Sequence, residues 1–243
     1  MKKETVTTNE ATKASYKRVG QYIDVGLRSY MLKVFSYMSV GLGLTAMVAY
    51  LVSISPSLVN VLYSNPLLLL MVAIAPLGLS IYLMSRISKI PPSTARTIFF
   101  VYAGLLGVAL SSVFLVHTTA TIATAFFVTS SMFLAMVIYG YTTGRDLTNV
   151  GAFMIMGLFG IIVASLINFF TRSPIMELAI SVIGVIIFTG LTAYDTQKIK
   201  SYYLESDDSD ISEKKAIIGA LHLYLDFINL FLFILRLLNS RSR

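Results

Sequence analysis

Any chemistry in this chain centres on Asp226. It stands in the apolar run Ala216–Leu238, with ten uncharged residues before it and nine after it, up to Arg236. A carboxylate at the centre of a membrane helix costs about 2.5–3.5 kcal/mol on insertion scales, so such a group marks a partner and a task. Asp195 is the second candidate, in Gly190-Leu-Thr-Ala-Tyr-Asp-Thr-Gln-Lys-Ile-Lys200. At helical rise it lies roughly 8–12 Å inside one membrane boundary and Asp226 roughly 17–20 Å inside it, so contact between them requires a helix offset or tilt. Two carboxylates sharing a desolvated site cannot both ionise cheaply; the pair then holds one proton and acts as a latch. Without that proton, their oxygens can attract a hard cation. Arg86 closes an apolar run and either snorkels to the interface or serves as counter-ion to the aspartates, reached through a span that Pro76 bends. His222, four residues before Asp226 on the same helical face, either tunes its protonation or packs as a polar core residue.

Other chemistries find no support. With no cysteine there is no disulfide, thiolate nucleophile or Cys-based metal site. No nucleophile elbow, zincin, P-loop or dinucleotide fingerprint occurs. The acidic run Glu205, Asp207, Asp208, Asp210 lacks calcium-loop spacing and its glycine and reads as a solvated loop. An aspartyl protease dyad at Asp195 and Asp226 would need a Gly-x-Gly-Asp context, which is absent. The expectation is a non-enzyme without a cofactor.

The elements that must carry these residues are membrane helices. Of 243 residues, 56% are hydrophobic and 13% charged, and mean hydropathy is +0.77; a soluble domain has about 25% charged residues. Seven continuous apolar runs are expected as spans, about 32–53, 67–86, 97–116, 119–141, 151–170, 178–201 and 215–237. They are too long and unalternating for barrel strands. The fold class is therefore all-α and polytopic: a polar N-terminal tail over residues 1–26 and a seven-helix membrane domain over 27–243. The polar first 33 residues do not read as a signal peptide. The net charge of +7 sits in tails and loops beside the spans, as topology-setting charge does, so nucleic acid is not the expected partner. With seven spans, fifteen Lys and Arg fall on the side of the N-terminus and four on the other, which places the N-terminus in the cytoplasm. The basic C-terminus is discordant, and a re-entrant last helix would return it to the cytoplasm. Small residues four apart, Ala103, Gly107 and Ser111, and again Gly160 and Ala164, are expected at close helix contacts.

Three segments carry a family likeness. Gly140-Tyr-Thr-Thr-Gly-Arg-Asp-Leu147, Gly190 to Lys200, and Leu223-Tyr-Leu-Asp-Phe-Ile-Asn-Leu230 together resemble the Bax inhibitor-1 (transmembrane Bax inhibitor motif) family. The likeness runs from about Leu27 to Leu238 and has a bacterial character. It implies six helices surrounding a central seventh and a pH-sensitive calcium leak, in which a di-aspartyl pair between the sixth and seventh helices gates ion passage. By motif position the pair falls on Asp195 and Asp226, and an arginine ending the second helix falls on Arg86. Arg86 is followed by Ile87-Ser88 instead of further arginines, and residues 61–85 lack the acidic residue of some members. The likeness further implies the lipid bilayer, calcium ions and protons as partners, calcium being the permeant ion, and a bacterial inner membrane location. Several bacterial relatives are described as modulators of a membrane protease, so a non-conducting adaptor is the alternative.

Overall fold

The computed structural model describes the backbone of residues 4–240 and the side chains of residues 25–239. It contains α1 (Glu4–Ser53), α2 (Pro56–Ser64), α3 (Pro66–Arg86), α4 (Pro92–Ala109), α5 (Ser111–Val116), α6 (Thr119–Thr142), α7 (Thr148–Thr171), α8 (Pro174–Ser201) and α9 (Ser209–Ser240), and no strand among the described residues. Four helices begin on proline, whose fixed φ suits the first turn and whose missing N–H leaves no orphan donor there. Side-chain caps complete other starts: Asn65 accepts from Leu67 N and Leu68 N at 3.1 and 3.2 Å, and Thr118 accepts from Thr121 N at 3.2 Å.

Seven segments are long and apolar enough to cross a bilayer: Val25–Ser53, Pro66–Arg86, Pro92–Val116, Thr119–Thr142, Thr148–Thr171, Pro174–Ser201 and Ser209–Asn239. Large apolar side chains such as Leu67, Ile81, Phe153 and Phe170 point outward, where a soluble protein would put polar groups. The last span is different: 67% of its most apolar stretch is buried, against 11–39% in the other six. This makes α9 the central helix. Its main neighbours are α8, α1, α6 and α4, while α3 packs on α4 and α7 on α8 at the perimeter. The expected ring of six is thus four direct neighbours and two outer helices.

Several boundaries differ from expectation. The helix of the first span starts well before its apolar run, because α1 continues outward through most of the polar segment; side chains before residue 25 of that 1–26 tail lie outside the described residues. The short α2 lies between the first two spans. The third span is broken at Leu110, next to Ser111, whose hydroxyl donates back to Val108 O at 2.7 Å and competes with the helical ladder. No re-entrant turn interrupts the last span: α9 is a single helix of 32 residues, about 48 Å long, more than the roughly 30 Å hydrocarbon core.

The small-residue expectation holds for the third span and only in part for the fifth, where Ala164 packs on the core and Gly160 does not. A Cβ on Gly107 would stand 2.7 Å from Thr45 O, so α1 and α4 meet backbone to backbone there. Gly160 is exposed with nothing within 4 Å. On α7 the close contacts are instead Gly151 against the Tyr194 ring and Gly157 against Ile187.

Candidate functional site

Asp195 projects from the last two turns of α8, and Asp226 from the middle of α9. Their meeting depends on helix register, set by two glycines. Gly219 of α9 receives Ile199 of α8, to which a Cβ would stand 3.0 Å away; Gly184 of α8 receives the Phe233 ring, 2.7 Å from a Cβ. Counting inward from the Ile199–Gly219 contact, Asp195 is about 6 Å deeper and Asp226 about 10 Å deeper. The remaining offset of about 4 Å is within the reach of two side chains. The two carboxyls therefore lie close enough to act on each other's charge. A carboxyl–carboxyl hydrogen bond contains a proton, since two carboxylates offer only acceptors.

The surroundings are apolar on the Asp226 side. Asp226 is 4% exposed, between buried Leu223, Tyr224, Phe227 and Leu230. Its Oδ2 has no hydrogen-bond partner among the described residues. Nearby hydroxyls do not serve the pair: Thr192 and Thr196, flanking Asp195 along α8, donate to Phe188 O and Thr192 O at 2.7 Å. Asn229 donates to Leu225 O at 2.8 Å. Asp195, half-buried, faces two other titratable groups, His222 of α9 and Lys198 of its own helix. His222 Nδ1 is buried without a hydrogen-bond partner among the described residues, and the Lys198 ammonium lies 5.5 Å from the centre of the Tyr194 ring. The site is therefore a carboxyl pair with an imidazole and an ammonium at its more open edge.

Three of the four sequence candidates, Asp195, Asp226 and His222, are brought together. Arg86 is not. It stands exposed at the end of α3, and its guanidinium makes no ion pair with either aspartate among the described residues. Lys198 was missed as a site residue, because in sequence it is one of several boundary lysines; only the helical spacing of three from Asp195 marks it. The described residues gather no group of three or more His, Asp or Glu suited to hold a metal ion.

The acidic loop is more than solvated. Asp207 accepts from Lys215 Nζ at 2.6 Å, and the same ammonium donates to Tyr202 O at 2.9 Å, which staples the α8–α9 connection. Beside it, Glu213 of α9 is held by Arg96 of α4 and by the Tyr37 hydroxyl of α1, which donates at 3.0 Å. Neither network was expected from the sequence; in the second, the Arg96–Glu213 partners are 117 positions apart and the Tyr37–Glu213 partners 176.

Fold and site together define an all-helical integral membrane protein of seven spans, with a carboxyl pair buried against its central helix. The chain belongs to the Bax inhibitor family: the family described as Inhibitor of apoptosis-promoting Bax1 matches residues 27–243. Among its relatives is the inner membrane protein YbhL of Escherichia coli (strain K12), 47% identical over 218 residues, covering 89% of this chain and 93% of that protein. An uncharacterized protein of Rickettsia prowazekii is 45% identical over 218 residues, covering 90% and 92%. An uncharacterized membrane protein of Streptococcus pyogenes is 38% identical over 216 residues, covering 88% and 93%.

Proposed function

We propose that the protein is a pH-sensitive calcium leak of the bacterial inner membrane, gated by the Asp195–Asp226 pair. It acts without a catalytic step or a cofactor, and its N-terminus faces the cytoplasm. The observation that supports this reading is the juxtaposition of the two carboxyls across α8 and α9, at the register set by the Ile199–Gly219 contact, with Asp226 buried among apolar side chains. With one proton shared, the two helices are tied together. When that proton leaves, two carboxylates in a desolvated interface repel, and either the helices part or a cation must enter between them. Two carboxylates attract calcium transiently through oxygen ligands without building a resident site. His222 and Lys198 set the field in which the proton is lost. Arg86 enters only in a rearranged state, in which the end of α3 moves towards the pair and biases open against closed.

The test is calcium entry into dye-loaded liposomes containing the purified protein, followed across neutral pH. Wild type should show a flux that changes with pH, and Asp226→Asn should lose that dependence. Equal flux from both at every pH would sink the latch. No flux from either, with stoichiometric co-purification of a membrane protease, would favour the adaptor.

A further inference from the structure

A cavity of about 510 Å³ lies between the end of α3 and the start of α9, away from the aspartates. Ile87, Ile211 and Ile218 form apolar walls, and Tyr202, Lys214 and Lys215 complete it. On α9 the residues at 211, 214, 215 and 218 share one face, by their three- and four-residue spacing. The two lysines differ. Lys215 is engaged by Asp207 and by Tyr202 O. Lys214 is half-buried, and no hydrogen bond or ion pair engages its ammonium among the described residues. Asp210, one turn earlier and exposed, does not pair with it. Among the described residues the cavity lining contains two cations and no carboxylate, and Arg86 and Lys89 stand exposed near its α3 edge. It also sits where both apolar spans end, at the level of a bilayer's headgroups.

An ammonium without a partner among the described residues, above isoleucine walls at that level, matches the chemistry of a phosphate diester carried on acyl chains. Basic pockets between membrane helices take anionic lipid headgroups in this way. We propose that the α3–α9 cavity binds one anionic phospholipid, with its phosphate on Lys214 and the start of an acyl chain along Ile87 and Ile218. Ser88 in the rim offers a second donor to the phosphate. The lipid would bridge a perimeter helix to the central one. This site is independent of the calcium reading.

The full chain, purified in a neutral detergent, is titrated with phosphatidylglycerol and, separately, phosphatidylcholine, and bound lipid is counted by native mass spectrometry. Wild type should retain one phosphatidylglycerol in preference to phosphatidylcholine. Lys214→Ala should weaken its retention about fivefold, and Lys214→Arg should restore it. Arg145→Ala removes the same charge from an exposed loop elsewhere and should leave binding unchanged. Lys214→Gln replaces the alanine variant if that one folds poorly. Equal retention of the two lipids, or an equal loss from Arg145→Ala, would overturn the site. Displacement of the lipid by inorganic phosphate at the same concentration would overturn the role given to the isoleucine walls.

Discussion

Tyr224 and Asp226 are two residues apart on the same central helix, both buried, and they are treated in opposite ways. Tyr224 looks towards α1 and α4. Its hydroxyl meets Thr45 Oγ1 at 2.6 Å, and its ring lies edge-on to Phe99 and Tyr102 at 6.0 and 5.6 Å. Thr45 in turn donates within reach of Ala103 O at 2.8 Å and Gly41 O at 3.0 Å, so the polar groups there have partners. Asp226 looks towards α8 and another acid, and one of its oxygens has no hydrogen-bond partner among the described residues. A buried polar group that is fully satisfied rigidifies a core, whereas one left half-satisfied carries an uncompensated desolvation cost. On the proposed reading, one face of α9 holds the bundle and the other changes with the proton.

That contrast can be broken most severely from the holding side. Tyr224→Ala should cost about 3–5 kcal/mol, because it empties an aromatic site joining three helices. A large fall in the thermal midpoint in detergent checks it. Gly140→Ala comes next: the added Cβ would stand 2.2 Å from Ala193 O, backbone that cannot rotate away. Overpacking of this kind costs about 1–3 kcal/mol, and the same melting assay should show it, with α6 pushed off α8. Tyr224→Phe keeps the ring and removes only the hydroxyl, for about 1 kcal/mol. Asp226→Asn should then be no worse than Tyr224→Phe and should equal or exceed wild type in stability, since an amide donates to Asp195 without needing a proton. If Asp226→Asn proves the more damaging of the two, the contrast between the faces is wrong.

The smallest effect lies outside the membrane. Asp146 accepts from Thr148 N and Oγ1 at 2.9 and 2.6 Å, and these bonds hold its carboxyl below the usual carboxylate range. Because the folded value is depressed, its contribution is present above the ordinary aspartate value and is lost as pH falls through the folded one. The Thr148 amide resonance should shift over that acid interval in wild type and not in Asp146→Asn, while the carboxyl pair deeper in the bundle is unaffected.

Seven spans were legible because hydrophobic length is a local property. Asp226 and Asp195 were legible as candidates because a charge in an apolar run is costly wherever the helix points. The start of α1 was not, since hydropathy marks the membrane and not the helix that projects beyond it. The break at Leu110 was hidden in a uniformly apolar stretch, where only the Ser111 hydroxyl signals it. Register was not legible either: that Asp195 and Asp226 meet depends on Gly219 receiving Ile199, a contact between helices. The Tyr224–Thr45 bond, between partners 179 positions apart, and the Arg96–Glu213 pair have no sequence-local signature. For Arg86, a boundary arginine reads the same whether or not it reaches a partner.

The central claim is that a shared proton ties α8 to α9. Infrared difference spectroscopy of the protein in liposomes tests it directly, through the carbonyl stretch of a protonated carboxyl. Wild type should show one such band that disappears as pH is raised over the interval in which calcium flux changes, and Asp195→Asn and Asp226→Asn should each abolish that titration. A band that persists unchanged in both variants, or flux that changes with pH while no carboxyl titrates, would contradict it.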